Sequence, residues 1–266
     1  MAYTSDFRRL LTVAAALTLS AVMIGCNHTP TGLTETNQYR VQGVLVQEMN
    51  IDYAFATARF WRNDTTLTNA SIRLAGVPMA FFAAYQNVDS AYQALISPAA
   101  SHAGTVAYLR VADASRFADS VLLNIVDTFS ITDNFQPPNH QVQGTNNYVT
   151  MEWTAADSMD GYIVAAVKAS RAYTGVGYSA AVTAAGVAGT IPPEAFMDTV
   201  ANLPDTGLYN VYVYAYSGAP DVNLANAFLP VPLPAQVADN IERTSLTGRF
   251  GAITVSLKDT VRVLAQ

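Results

Sequence analysis

The chain has 266 residues, a formal net charge of −6 and a single cysteine. An acidic surface repels nucleic-acid phosphates, and one cysteine excludes an intrachain disulfide, so neither nucleic-acid binding nor disulfide stabilisation is expected. Charged residues make up only 13% of the chain, whereas Val, Thr, Tyr and Ala are plentiful, and this composition favours strands over surface helices.

Residues 1–25 have the composition of an export signal. Two arginines precede an uncharged apolar stretch that is shorter than the about 20 residues a membrane span requires. The stretch ends in Met23-Ile24-Gly25-Cys26, which resembles the lipobox of bacterial lipoproteins. That resemblance implies cleavage after Gly25, transfer of a diacylglyceryl group to the Cys26 thiol, and acylation (for example with palmitate) of the new amino terminus.

Lipidation at Cys26 implies that the protein is tethered to a membrane of the cell envelope, since two or three acyl chains give stable anchoring. Asn27 after the cysteine resembles the residue that sorts lipoproteins to an outer membrane, where the organism has one. The mature chain would keep 12 basic and 19 acidic residues, a net charge of −7. Residues 26–38 are polar and contain Pro30 and Gly32, which predicts a flexible tether.

Residues 39–135 predict a first β-sandwich. Short alternating segments such as YRVQGVLVQE and GTVAYLRVA are separated by turn residues, as several short strands in a sandwich require. The stretch TARFWRNDTTLTNASIRLAGVPM resembles the second and third strands of bacterial immunoglobulin-like modules. For residues 78–97 the periodicity fits either strands or a helix, and both alternatives stay open.

Residues 136–266 predict a second sandwich, which begins after the turn signal Pro137-Pro138-Asn139. The segments that follow resemble a fibronectin type III domain. The matching residues are Val149, Thr150, Trp153, Gly161, Tyr162 and Val164, then Leu203, Tyr209, Val211, Val213, Ala215 and Ser217. The resemblance implies that Trp153 fills the sandwich centre and that the Tyr209 phenol bonds to upstream backbone. An unusually long segment, 218–247, separates the last two strands, and its role stays open.

A search for reactive groups finds no pairing of a nucleophile with a base, no cofactor motif, and only three histidines, all in predicted loops. Asp157 and Asp160 are a weak candidate for Ca²⁺, because that ion prefers oxygen ligands. The alternative is an ordinary turn between strands, in which aspartate and glycine meet the demands of the backbone.

Tyr212, Tyr214 and Tyr216 alternate with small apolar residues and would share one face of a strand. If the valine side is the core, these rings form an exposed platform for a sugar or a partner chain. The alternative is that the inserted segments of the same domain cover them.

These observations predict an all-β protein with two tandem immunoglobulin-like and fibronectin III-like sandwiches after a cleaved signal peptide. The expected function is that of a non-catalytic cell-envelope lipoprotein that binds or scaffolds proteins. The alternative is a carbohydrate-binding or adhesion module at the cell surface. The expected partners are the membrane, through Cys26, and an envelope protein or glycan that the sequence does not identify.

Overall fold

The computed structural model describes residues 38–84, 90–97, 99, 102–143, 148–182, 186–198, 200–235 and 237–265. The predicted signal peptide, Cys26 and all but the last residue of the tether lie outside the described residues. Residues 38–266 form one compact unit. Its regular structure consists almost entirely of strands, so the predicted all-β class is confirmed. Within the described residues, no helix has both the length and the apolar character required to cross a membrane.

The first half of the chain forms an immunoglobulin-like sandwich. Its strands are β1 (Tyr39–Glu48), β2 (Ala54–Arg62), β3 (Thr65–Thr66), β4 (Ser71–Leu74), β5 (Val77–Phe82), β6 (Ala91–Ile96), β7 (Val106–Asp113) and β8 (Phe117–Asn124). One layer has the order β1-β2-β6-β5 and the other the order β4-β7-β8, which is the strand order of a constant-type immunoglobulin domain. The stretch 78–97, for which the sequence left two alternatives, contributes β5 and β6 to this sandwich.

The second half is a sandwich of the fibronectin type III kind. Its strands are β9 (Gln141–Gln143), β10 (Val149–Glu152), β11 (Gly161–Lys168), β12 (Tyr178–Val182), β13 (Ala188–Ile191), β14 (Met197–Asp198), β15 (Leu203–Pro204), β16 (Gly207–Gly218), β17 (Ile241–Glu242), β18 (Leu246–Val255) and β19 (Asp259–Leu264). One layer pairs β10 with β13, and the other has the order β12-β11-β16-β19. Trp153 is 2% exposed between the layers and packs against Tyr162, with ring centroids 5.2 Å apart.

A single long strand joins the two sandwiches into one sheet. β18 runs parallel to β1 over ten residue pairs, from Tyr39 beside Leu246 to Glu48 beside Val255. On its other edge, the second part of β18 pairs antiparallel with β16, and β19 continues this pairing. Strands from both sides of residues 135–136 thus enter the same sheet. The division into two domains at that point stays a prediction.

The segment 218–247 covers the outer face of this shared sheet. It contains a short helix, α1 (Val222–Ala225), and the edge strand β17. Its apolar side chains, including Leu229 and Val231, form a hydrophobic cluster with Val44 of β1 and Ile253 of β18. This cluster is separate from the two sandwich cores, so the shared sheet is buried on both faces where the two halves meet. The segment 218–247, whose role the sequence left open, therefore has a structural role in burying this face.

Candidate binding surfaces

The tyrosine row of β16 is not an exposed platform. Tyr214 is completely buried, Tyr212 is 6% exposed and Tyr216 is half-buried. The Tyr214 hydroxyl donates to the Val231 carbonyl oxygen at 3.1 Å and accepts from the Val231 amide at 3.0 Å. The expectation of an exposed row is therefore wrong, and the alternative holds, because the inserted segment 218–247 lies over this face.

Tyr209 keeps the buried position expected from the resemblance but has a different hydrogen-bond partner. Its hydroxyl donates to the Asp205 carboxylate at 3.1 Å, rather than to backbone. Burial, followed by the nearby Asp205 charge, raises the pKa of Tyr209 above its usual range. The Lys168 ammonium donates to the same carboxylate at 2.5 Å, and this bond, more than the bond from Tyr209, lowers the pKa of Asp205.

A pocket of about 490 Å³ opens beside this group of side chains. Both of its basic side chains pair with the same acid, since Lys168 and Arg171 lie within 4 Å of Asp205. Two further acids, Glu194 and Asp198, line the pocket, and Asp198 accepts hydrogen bonds from the amides of Val200 and Ala201. These contacts assign the charges a structural role at the end of the second sandwich.

Asp157 and Asp160 lie in a turn before β11, where their contacts are those of backbone support. The Asp160 carboxylate accepts from the Gly218 amide at 2.6 Å, and the Asp157 carbonyl accepts from the Asp127 amide at 3.1 Å. Ser158 between them has a left-handed φ of 62°. In the described parts of the chain, no group of three or more acidic, histidine or cysteine side chains is placed to hold a metal. The geometry therefore favours an ordinary turn over a Ca²⁺ site at Asp157 and Asp160.

The outer surface of the β4-β7-β8 layer, here called the front face, is open to solvent and carries large apolar side chains. Val106, Tyr108 and Leu122 are each more than half exposed. Tyr108 and Leu122 are direct cross-strand neighbours, so their side chains lie side by side. A shallow groove of about 550 Å³ runs along this face.

Two arginines lie directly opposite each other on the front face, Arg73 on β4 and Arg110 on β7. Both line the groove and both are exposed. Among the described residues, neither guanidinium has an ion-pair partner within 4 Å, and the acid that lines the groove, Asp119, binds Arg243 instead. The sequence reasoning missed this pair, although the alternation in SIRL and VAYLRVAD points these side chains to one face. The register between the two strands was the missing information.

Comparison with known proteins places the chain in no family, because no family model matches it and no curated protein matches it. Solved structures give weak likenesses. A Ca²⁺-stabilised ice-binding adhesin of an Antarctic bacterium is 10% identical, with a TM-score of 0.25, over 86% of this chain and 49% of the adhesin. An I-band fragment of titin is 7% identical, with a TM-score of 0.21, over 86% of this chain and 66% of the fragment.

A third solved structure, the immunoglobulin domain pair of DIP-gamma, is 9% identical, with a TM-score of 0.21, over 82% of this chain and 97% of that one. The present chain spans about half the length of the adhesin and two thirds of the titin fragment. Likenesses at this level support no functional inference, and the fold assignment depends on the strand order described above.

Proposed function

We propose that this protein is a non-catalytic, lipid-anchored protein of the cell envelope that binds an acidic segment of a partner protein through its front face. The observation that carries the proposal is the opposed pair of Arg73 and Arg110. Like charges directly across two strands destabilise a sheet, and this pair persists on a protein whose net charge is negative. A partner that supplies carboxylates would offset that repulsion.

The neighbouring side chains support binding to a protein rather than to a free anion. Arginine and tyrosine are the residue types enriched at the energetic centres of protein interfaces, and Tyr108 lies in the same groove as both arginines. Val106 and Leu122 extend the exposed apolar area along the face. Guanidinium groups bind carboxylates with two parallel hydrogen bonds, so the expected partner segment has acidic residues beside apolar ones.

Support for a non-catalytic role comes from the two histidines within the described residues. The His140 ring stacks on Phe135 at 4.2 Å, and its Nδ1 lies 3.1 Å from the Thr260 carbonyl oxygen. For His102, the hydrogen bonds found within the described residues all use its backbone: its amide donates to the Ala99 carbonyl oxygen, and its carbonyl oxygen accepts from the amide and the hydroxyl of Thr105. Neither imidazole is bonded to a hydroxyl or thiol that it could activate.

The partner claim is tested by placing a photo-crosslinking amino acid at Tyr108 in the full chain, inside living cells. We expect an adduct whose partner peptide is rich in Asp and Glu. The same probe at Tyr53, which is exposed and directly precedes β2 of the other layer, is the position control. Equal adducts at both positions, no adduct at Tyr108, or a neutral or basic partner peptide would each contradict the proposal.

Charge reversal separates the arginine pair from general electrostatics. The double substitution Arg73→Glu and Arg110→Glu is expected to abolish the Tyr108 adduct. Arg262→Glu changes an exposed arginine on β19 of the other sandwich and is expected to leave the adduct unchanged. An adduct that survives the double substitution would show that the arginines do not bind the partner.

The lipid anchor is tested separately with Cys26→Ser. We expect this variant, once its signal segment is removed, to leave the membrane fraction and to lack the mass of the acyl chains, because no helix among the described residues is long and apolar enough to cross a membrane. A Cys26→Ser protein that has lost its signal segment and still stays in the membrane fraction through its own mature domains would refute the anchor. That result would leave the front-face proposal to its own crosslinking test.

A further inference from the structure

A pocket of about 440 Å³, with both polar and apolar lining residues, opens at the junction of the two sandwiches. We call it the junction pocket. Its walls come from three separate parts of the chain: the end of β1, the loop after β11, and the connection between β18 and β19. The side chains of β16 that face it form its floor. The lining residues used below are Glu48, Asn50, Tyr173, Asn210, Tyr212 and Lys258.

A bulge in the last strand creates the space for this pocket. Val255 of β18 pairs with Tyr214, and Asp259 of β19 pairs with Val211. The chain from β18 to β19 therefore advances four residues where β16 advances three. The extra residue lies within 256–258, and the Ser256 hydroxyl accepts a hydrogen bond from the Val213 amide at 3.0 Å. Bulges of this kind bend a strand and redirect its side chains, and they are frequent beside binding sites.

Tyr173 is held over the pocket in a strained conformation. Its φ is 62°, in the left-handed region that bulky L-residues rarely occupy. The Tyr173 hydroxyl donates to the Glu48 carboxylate at 2.8 Å, and its amide donates to the Pro230 carbonyl oxygen at 3.0 Å. The residue is nevertheless 55% exposed. Strain of this kind is retained where the surrounding structure fixes a side chain for a purpose, and here it fixes an aromatic ring at the edge of a pocket.

The floor of the pocket offers buried hydrogen-bonding groups. Asn210 is 7% exposed and Tyr212 is 6% exposed. Burial raises the pKa of Tyr212, and a hydrogen bond with Asn210 lowers it by less, so the phenol stays neutral. Glu48 and Lys258 contribute one negative and one positive charge, which gives the lining no net charge.

We propose that the junction pocket binds a single neutral pyranose residue of a glycan. The carboxylate of Glu48 and the carboxamides of Asn50 and Asn210 supply the donors and acceptors that fix adjacent hydroxyl groups. The exposed ring of Tyr173 supplies a flat apolar surface for the C–H face of the sugar. The balance of charge disfavours an acidic or basic sugar. This site is separate from the front face, and its proposal does not depend on the protein partner.

Saturation-transfer NMR with the purified full chain tests the proposal directly. The probes are the methyl glycosides of glucose, galactose, mannose and N-acetylglucosamine, each at about 10 mM, because single sugars that make few contacts bind weakly. We expect at least one glycoside to receive saturation, most strongly on the protons of one ring face. If none of the four receives saturation, or if methyl glucuronoside is preferred over all of them, the proposal is overturned.

Three variants test the assigned site and distinguish a binding role of Tyr173 from a structural one. Tyr173→Gly removes the ring but suits the left-handed backbone, so we expect the thermal midpoint to stay close to that of the unchanged chain. The sugar signal should nevertheless disappear. Asn210→Ala should reduce the signal at least tenfold. Tyr53→Ala, a matched exposed tyrosine outside the pocket, should leave the signal unchanged. A Tyr173→Gly protein that keeps its folded state and its sugar signal would overturn the assigned site.

Discussion

The contact between β1 and β18 leads to a prediction about Gly248. This residue has a φ of +126°, which L side chains rarely adopt, and a Cβ atom built on it would overlap the Val41 carbonyl oxygen. The obstacle is backbone within a ten-residue parallel ladder, so it moves only if the pairing of the two strands is disturbed. Gly248→Ala is therefore expected to destabilise the junction of the two sandwiches.

The size of the effect follows from two separate costs. The left-handed backbone costs an alanine about 1–2 kcal/mol, and overpacking adds about 1–3 kcal/mol, so the expected loss is about 2–5 kcal/mol. Gly76→Ala is the matched control. Gly76 also has a positive φ, of +81°, but nothing lies within 4 Å of its built Cβ. Gly76→Ala should therefore be destabilised only by the backbone cost of about 1–2 kcal/mol.

Equilibrium urea unfolding, followed by tryptophan fluorescence and circular dichroism, measures both variants. Trp61 lies in the first half of the chain and Trp153 in the second, so the fluorescence reports on both sandwiches. A loss that is larger for Gly248→Ala by about 1–3 kcal/mol is the expected result. Equal losses for the two variants would show that β18 does not pack tightly against β1.

Two further substitutions test other contacts. Tyr214→Phe leaves the buried amide and carbonyl of Val231 without their phenol partner, which should cost about 1–3 kcal/mol in urea unfolding; an unchanged stability would contradict the burial of that bond. Asp205→Asn tests pH dependence. The folded pKa of Asp205 lies below its unfolded value near 3.8, so its contribution is present above that pH and is lost as the pH falls through the folded pKa. Acid unfolding curves between about pH 5 and 2 should therefore be flatter for this variant, and an unchanged slope would contradict the prediction.

The strands themselves were largely predictable from the sequence. The segment YRVQGVLVQE coincides with β1, and the predicted segment GTVAYLRVA overlaps β7 from Val106 to Ala112. β7 alternates exposed and buried side chains along its length, which is the pattern that sequence alternation detects. The burial of Trp153 was predictable for a similar reason, because its position matched a recurring motif of one sandwich.

The join between the sandwiches was not predictable in this way. Residues of β1 and β18 that make contact, such as Tyr39 and Thr247, are 208 positions apart in sequence. Alternation within either strand does not specify the partner strand, and the second part of β1 has side chains buried on both faces. A strand of that kind reads as continuously apolar, which is consistent with a central position but not with any particular neighbour.

The tyrosine row of β16 shows that alternation is equally silent about what covers a face of a strand. Alternating valine and tyrosine predicts two different faces but not whether the second face is open to solvent. Tyr214 is buried because residue 231, seventeen positions later, passes over it. That contact depends on the path of the segment 218–247, whose proline-rich composition predicts extended chain without a direction.

The long segment and the shared strand can be explained together. A sandwich that ended with β1 at its border would expose a row of unpaired backbone groups, which is a known hazard for aggregation. β18 covers that border, but to reach it the chain must leave β16 at Gly218 and enter the ladder beside Tyr39. The segment 218–247 spans this distance, and its apolar side chains bury the outer face of the sheet on the way. One consequence concerns β1, which is bonded on both edges: the described chain enters the sheet at a central strand rather than at a free border.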